Sequence, residues 1–170
     1  YSSRRQRQMC IRDRFITGRS CGGWMTMMLL ARHPNIVAGG ISFVPESYGR
    51  LTKTYKVKKI GIEEALKEFR KKDGSGPADM RQMQIDEIKK SKNLPVLVFT
   101  HPKDPFGGLL SDWAEEVLGV ERIVVSEDNK VNGKNCKVWG KAIKDFHDID
   151  RADCFQYYNS TILEYIGSRI

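Results

Sequence analysis

The run FITGRSCGGWMTMMLLARHP, residues 15–34, reads as a strand, a one-residue turn and a helix in quick succession. Phe15 to Thr17 are apolar or β-branched, Gly18-Arg19-Ser20-Cys21-Gly22 is a G-x-S-x-G, and Trp24 to Ala31 are apolar on nearly every helical side. A strand that passes directly into a helix with its apex side chain projecting needs small residues two positions to either side, because a Cβ there collides across the turn. Gly18 and Gly22 occupy those positions around Ser20. Gly22 and Gly23 let the helix start close to the strand, and its first free N–H groups, notably that of Cys21, point where an anionic oxygen would form. Two phosphate-loop readings fail on the same residues. A Walker loop needs Lys and then Ser or Thr after Gly23, where the chain has Trp24 and Met25, and a dinucleotide fingerprint needs glycine where Ser20 stands.

Outward from this run, short β-branched segments alternate with longer stretches of helical period, the pattern of a parallel α/β sheet with crossover helices. About four strands are expected: Phe15–Thr17, Ile36–Val44, Pro95–Thr100 and Glu121–Ser126. The methionines of the first helix belong to the core. The crossover from Glu46 to Leu94 holds two helical stretches around a break at Asp73–Pro77, with apolar stripes at Ile62, Ala65, Leu66, Phe69 and at Met80, Met83, Gln84, Ile88. Residues 46–93 are read as a cap-like helical insertion, in which Tyr48 and Tyr55 line the site. After the third strand, Leu109, Leu110, Trp113, Val117 and Leu118 share a helical face that stops at Gly119. Residues 129–135 read as polar loop, and a last helix, N-capped by Asp150, turns Phe155, Tyr158, Ile162, Tyr165 and Ile166 inward.

With 170 residues, 40% of them hydrophobic and 29% charged, the chain has the size and apolar content of one domain with a real core. No apolar run approaches the roughly 20 residues that a bilayer requires, so no membrane association is expected. The net charge of +8 is front-loaded: residues 1–14 carry five Arg and one Asp, a net +4, which leaves +4 for the rest. That distribution argues against nucleic acid as a partner. The leader lacks the apolar stretch of a secretory signal and is read as non-native or disordered. Residues 15–170 then form the single domain. Cys10, Cys21, Cys136 and Cys154 include no C-x-x-C pair and no zinc spacing, so reduced thiols, a cytoplasmic location and neither metal nor cofactor are expected.

A serine at such an apex requires a base, and the base requires an acid to orient it. Chemistry in these sheets gathers at the carboxyl ends of strands. PVLVFTHPKDPFGG places Asp104 there after the third strand, and KDFHDIDRADC places His147 before the last helix. Asp112, Asp145 and Asp148 compete with Asp104 for the acid role. His33 sits at a helix end, where an imidazole caps carbonyls, and His101 reads as a pocket-wall or core histidine.

The order Ser20, Asp104, His147 is similar to that of the α/β-hydrolases. FITGRSCGGWMTMMLLARHPNIVAGGISFVP resembles their nucleophile elbow, helix and next strand, and PVLVFTHPKDP their acid-bearing strand and loop. The resemblance is closest to serine hydrolases of the dienelactone-hydrolase and prolyl-oligopeptidase-like groups. It implies Ser20 as nucleophile, Asp104 as acid, His147 as general base and the Cys21 N–H as oxyanion donor, acting without a cofactor on a small ester, thioester or short peptide. Two departures stand out: Ser20 holds the apex where dienelactone hydrolases have cysteine, and Pro102 replaces the glycine of the usual H-G-x-x-D acid loop. Only 19 residues precede Ser20, so the resemblance also implies an amino-terminally truncated fragment lacking the early strands and the second oxyanion donor, prone to aggregate and a weak catalyst. A contrasting reading is an inactive hydrolase-fold remnant or binding module whose basic 53–72 stretch docks an acidic partner.

Overall fold

The computed structural model describes residues 14–46, 60–73, 76–104, 106, 112–125, 130–131, 134–143 and 146–170. Four strands, β1 (Phe15–Arg19), β2 (Gly39–Phe43), β3 (Val96–Thr100) and β4 (Val120–Val124), form one parallel sheet in the order β1-β2-β3-β4. Parallel neighbours need crossovers. Helix α1 (Cys21–Arg32) links β1 to β2, helices α2 (Ile62–Asp73) and α3 (Gly76–Lys89) lie between β2 and β3, and a 3-10 helix (Asp112–Glu116) precedes β4.

β3 is buried along its whole length, and its period of two divides the core. Val96 and Val98 join Trp24, Met27, Leu30, Ile85 and Ile88 on the helix-covered face. Leu97 and Phe99 join Ile41, Ile149, Phe155 and Tyr165 on the other. That second face is covered by the end of the chain: hairpins β5–β6 (Lys130–Val131, Lys134–Asn135) and β7–β8 (Lys137–Val138, Lys141–Ala142), two 3-10 helices (Phe146–Arg151, Asp153–Tyr158) and helix α4 (Asn159–Gly167). The four parallel strands β1 to β4 thus leave their carboxyl ends on one edge, where the loops collect.

Several expectations change. β2 begins at Gly39, because Ile36 lies in the turn after α1 and is 45% exposed. In α3 the inward face carries Ile85 and Ile88, while Met80 and Met83 point outward; Gln84 holds the rotation by accepting the Trp24 Nε1–H at 3.0 Å. This places α3 in the helical layer against the sheet. After β3, Trp113 and Val117 pack inward from the 3-10 turn, but Leu118 is exposed, and Gly119 turns the chain with φ +87. Leu109 and Leu110 lie outside the described residues. The 129–135 loop contains a short hairpin, β5–β6. The last helix is three pieces, and Asp150 caps none of them: its carboxylate is taken by Arg19.

The expectation of reduced thiols is overturned for one pair. Cys136 and Cys154 form a disulfide across 18 residues of sequence. Sequence spacing could not show it, because the β7–β8 hairpin and the second 3-10 turn are brought together by burial of both cysteine segments against the sheet. Disulfides persist in oxidising compartments, which removes the ground on which the cytoplasm was inferred. No helix among the described residues is long and apolar enough to cross a membrane.

Candidate active site

A single residue joins β1 to α1. Ser20 sits at φ 57, ψ −122, a conformation that costs an L-residue about 1–3 kcal/mol and persists only where the surroundings enforce it. Its N–H donates to Phe43 O at 2.9 Å, and its carbonyl accepts from Trp24 N–H at 3.0 Å and Glu46 N–H at 3.3 Å. Close packing does the rest. A Cβ on Gly18 would lie 2.2 Å from Gly22 O, and one on Gly23 would lie 2.8 Å from Ser42 Oγ and 3.0 Å from Phe43 O. Gly22 differs from the expectation: a Cβ there would meet nothing within 4 Å. Gly18 and Gly23 carry the steric requirement, because Gly22 contributes only backbone to the contact and its own Cβ direction is open.

The turn aims Ser20 Oγ at His147, whose Nε2 lies 2.8 Å away. His147 is the second residue of the 3-10 turn beyond β8 and is buried, with its ring against Phe106. Behind it, Nδ1 is 3.0 and 3.1 Å from the two Asp104 carboxylate oxygens. An ionised carboxylate can only accept, so Nδ1 carries the hydrogen and Nε2 keeps a lone pair for the serine hydroxyl. Asp104 is 3% exposed and sits in the turn that leaves β3, with its N–H on His101 O and Oδ1 accepting the Phe106 N–H. His101 is fully buried under that turn: Nδ1 accepts the Lys103 N–H and the ring stacks on Phe146. It supports the acid loop from the core rather than lining an open wall.

Two charged residues beside Ser20 have no counterpart in the sequence reading. Arg19, at the end of β1, bonds Asp148, Asp150 and the carbonyl of His147, fastening the histidine turn to the serine turn. Glu46 follows β2, is 9% exposed, and puts Oε2 3.4 Å from Ser20 Oγ and 2.7 Å from Cys21 Sγ. The Glu46 carboxylate, followed by burial, pushes the Cys21 thiol up from its ordinary pKa. Arg19 was hidden in a variable position of the motif, and the one available signal for Glu46 was a carboxylate just after a predicted strand end.

Of the rivals for the acid, Asp148 is committed to Arg19, Asp112 begins the 3-10 turn before β4, and Asp145 lies outside the described residues. Tyr48 and Tyr55 lie outside them as well. The Cys21 N–H is at the amino end of α1, one residue past Ser20. His33 ends α1, its N–H bonding Leu29 O. Among the described residues no group of three or more His, Cys, Asp or Glu is arranged to hold a metal ion.

No family model and no curated protein match the sequence. Solved structures do match the fold. An esterase of Pyrococcus furiosus aligns with a TM-score of 0.52 at 15% identity, over 91% of this chain and 53% of its own. A carboxylesterase of the thaumarchaeon Nitrososphaera gargenis gives 0.52 at 15% identity over 99% and 71%. The fold is that of the α/β-hydrolases. A third α/β-hydrolase, a monoacylglycerol lipase of Paleococcus ferrophilus, gives 0.52 at 14% identity over 92% and 68%. The chain spans about half the length of the Pyrococcus esterase. In an α/β-hydrolase fold, ligands meet the carboxyl edge of the sheet. Here that edge presents Ser20 after β1, Glu46 after β2 and Asp104 after β3, with His147 brought to it from beyond β4.

Proposed function

We propose that the chain is the nucleophile-bearing part of a serine hydrolase that cleaves an ester, thioester or short peptide bond through an acyl-enzyme. The reading rests on one observation: Ser20 Oγ lies 2.8 Å from His147 Nε2, with Asp104 on the opposite ring nitrogen. His147 Nε2 takes the hydroxyl proton as Ser20 Oγ bonds to the carbonyl carbon, and Asp104 stabilises the imidazolium. The carbonyl oxygen becomes anionic beside the Cys21 N–H at the start of α1. As the tetrahedral intermediate collapses, the bond to the leaving alcohol, thiol or amine breaks and His147 returns the proton to it. Water then repeats the sequence on the acyl-serine, giving its proton to His147 and releasing the acid. The strained Ser20 backbone and the esterase and lipase identities of the fold's neighbours support the same reading.

Mass-spectrometric mapping of a fluorophosphonate adduct tests it. The adduct is expected on Ser20, to vanish in Ser20→Ala and to form far more slowly in His147→Ala. Asp104→Asn is expected to lower ester turnover about 10³- to 10⁴-fold, and adding it to Ser20→Ala should change little, since members of one catalytic unit are not additive. Labelling of Ser111 or Ser160 with Ser20 unmodified overturns the assignment.

A further inference from the structure

Glu46 is a buried carboxylate that the hydrolytic steps above do not use. Its Oε2 is within 3.4 Å of Ser20 Oγ, it accepts the Cys21 thiol, and among the described residues no cation pairs with it. Arg81, whose charge is felt at Cys21, is directed elsewhere: over the Trp24 ring at 5.2 Å and onto Gln84 Oε1. A buried carboxylate that no described cation pairs is costly, and one beside the attacking oxygen opposes the negative charge that grows on the tetrahedral intermediate. A substrate that brings its own cation to that point removes both penalties.

We propose that Glu46 makes this site selective for acyl groups bearing an ammonium on the carbon next to the scissile carbonyl, that is, α-aminoacyl esters or peptides with a free amino terminus. The proposal rests on Ser20 being the nucleophile. An α-amino nitrogen lies about 2.5 Å from its own carbonyl carbon, so once that carbon bonds to Ser20 Oγ the nitrogen is roughly 3 Å from the same oxygen. A carboxylate oxygen 3.4 Å from Ser20 Oγ is then within reach of a charge-assisted N–H···O bond of about 2.8 Å. A cation farther along the acyl chain would have to fold back to make this contact. The selection acts in both directions: the ammonium gains a partner, and a neutral acyl group leaves the carboxylate's charge beside the developing negative charge with nothing to offset it.

Two measurements test this. In the first, kcat/KM is compared for leucine p-nitrophenyl ester and p-nitrophenyl 4-methylpentanoate, the same skeleton without the amine, each corrected for spontaneous hydrolysis. The native chain is expected to favour the amino ester, and Glu46→Gln to reduce that preference about ten- to hundredfold, the worth of a hydrogen bond to a charged group. An undiminished preference in Glu46→Gln overturns the proposal, as does the absence of any preference in the native chain. The second needs no chemistry: calorimetric titration of Ser20→Ala with leucinamide and with 4-methylpentanamide. Leucinamide is expected to bind at least about tenfold more tightly, and to lose that advantage when Glu46→Gln is added. Equal binding, or no binding of leucinamide, overturns the amine site. Selective amide binding without turnover of either ester upholds the amine site and overturns the hydrolase reading instead.

Discussion

The serine and the histidine of the site are held by two regions built in opposite ways. The serine half is regular structure: β1, one strained residue and α1, locked by the ladder to β2 and by glycines that let backbones touch. The histidine half, residues 136–143 and 146–158, is short hairpin and 3-10 turns, whose order comes from cross-links rather than from a strand ladder. Cys136–Cys154 closes it, Asp104 holds the imidazole, and Arg19 reaches across from β1 to Asp148, Asp150 and the His147 carbonyl. Positional accuracy in the first half is thus a property of local backbone geometry. In the second it is a property of a few long-range bonds, each of which can be removed singly.

That contrast can be broken most severely at Gly18. Gly18→Ala puts a Cβ 2.2 Å from the Gly22 carbonyl oxygen, and a backbone cannot move aside as a side chain does. It should cost about 3 kcal/mol, the upper end for overpacking, while Gly22→Ala should be neutral or stabilising by up to about 1 kcal/mol. Denaturant midpoints of the two variants compare them directly, and equal losses would mean that the turn is held by something other than this contact.

Removing the disulfide acts on the other half. Replacing Cys136 and Cys154 by Ala releases a loop of 18 residues and should cost roughly 2–3 kcal/mol. Hydrogen exchange should show residues 146–158 losing protection while the amides of β1 and α1 keep theirs. Loss of protection in both together would show one cooperative unit instead of two.

Arg19→Ala tests the bridge between them. It leaves the largely buried Asp150 without its cation beside His147, and leaves Asp148 only the longer pair to Arg151 at 3.5 Å. Ester kcat is expected to fall about tenfold, near 1.4 kcal/mol, with KM little changed and with partial recovery in Arg19→Lys. A change confined to KM would place Arg19 in substrate binding rather than in positioning His147.

The parallel sheet was legible because short β-branched or apolar runs are separated by helical periods, and burial on both faces makes the central strands β2 and β3 the clearest of them. Ser20, Asp104 and His147 could be named as candidates for a related reason. Strand ends, a tight turn and chain order constrain where such side chains can stand. The rotation of α3 was not legible, because methionine and isoleucine count alike in an apolar stripe, and the bond from Trp24 to Gln84 selects between them only after folding. Nor was the division of labour among the glycines, since Gly22 and Gly23 differ only in which neighbour their Cβ directions face.

By itself, then, the sequence determined the α/β layering and the candidate serine turn, both of which follow from interactions between residues close along the chain. The Cys136–Cys154 bond, the Arg19 bridge and the carboxylate of Glu46 beside Ser20 were decided by the tertiary structure alone. Arg19 and Asp150 are 131 residues apart, and Ser20 and Glu46 are 26 apart. No local pattern encodes such separations; they close only when parallel strands bring their carboxyl ends to a common edge.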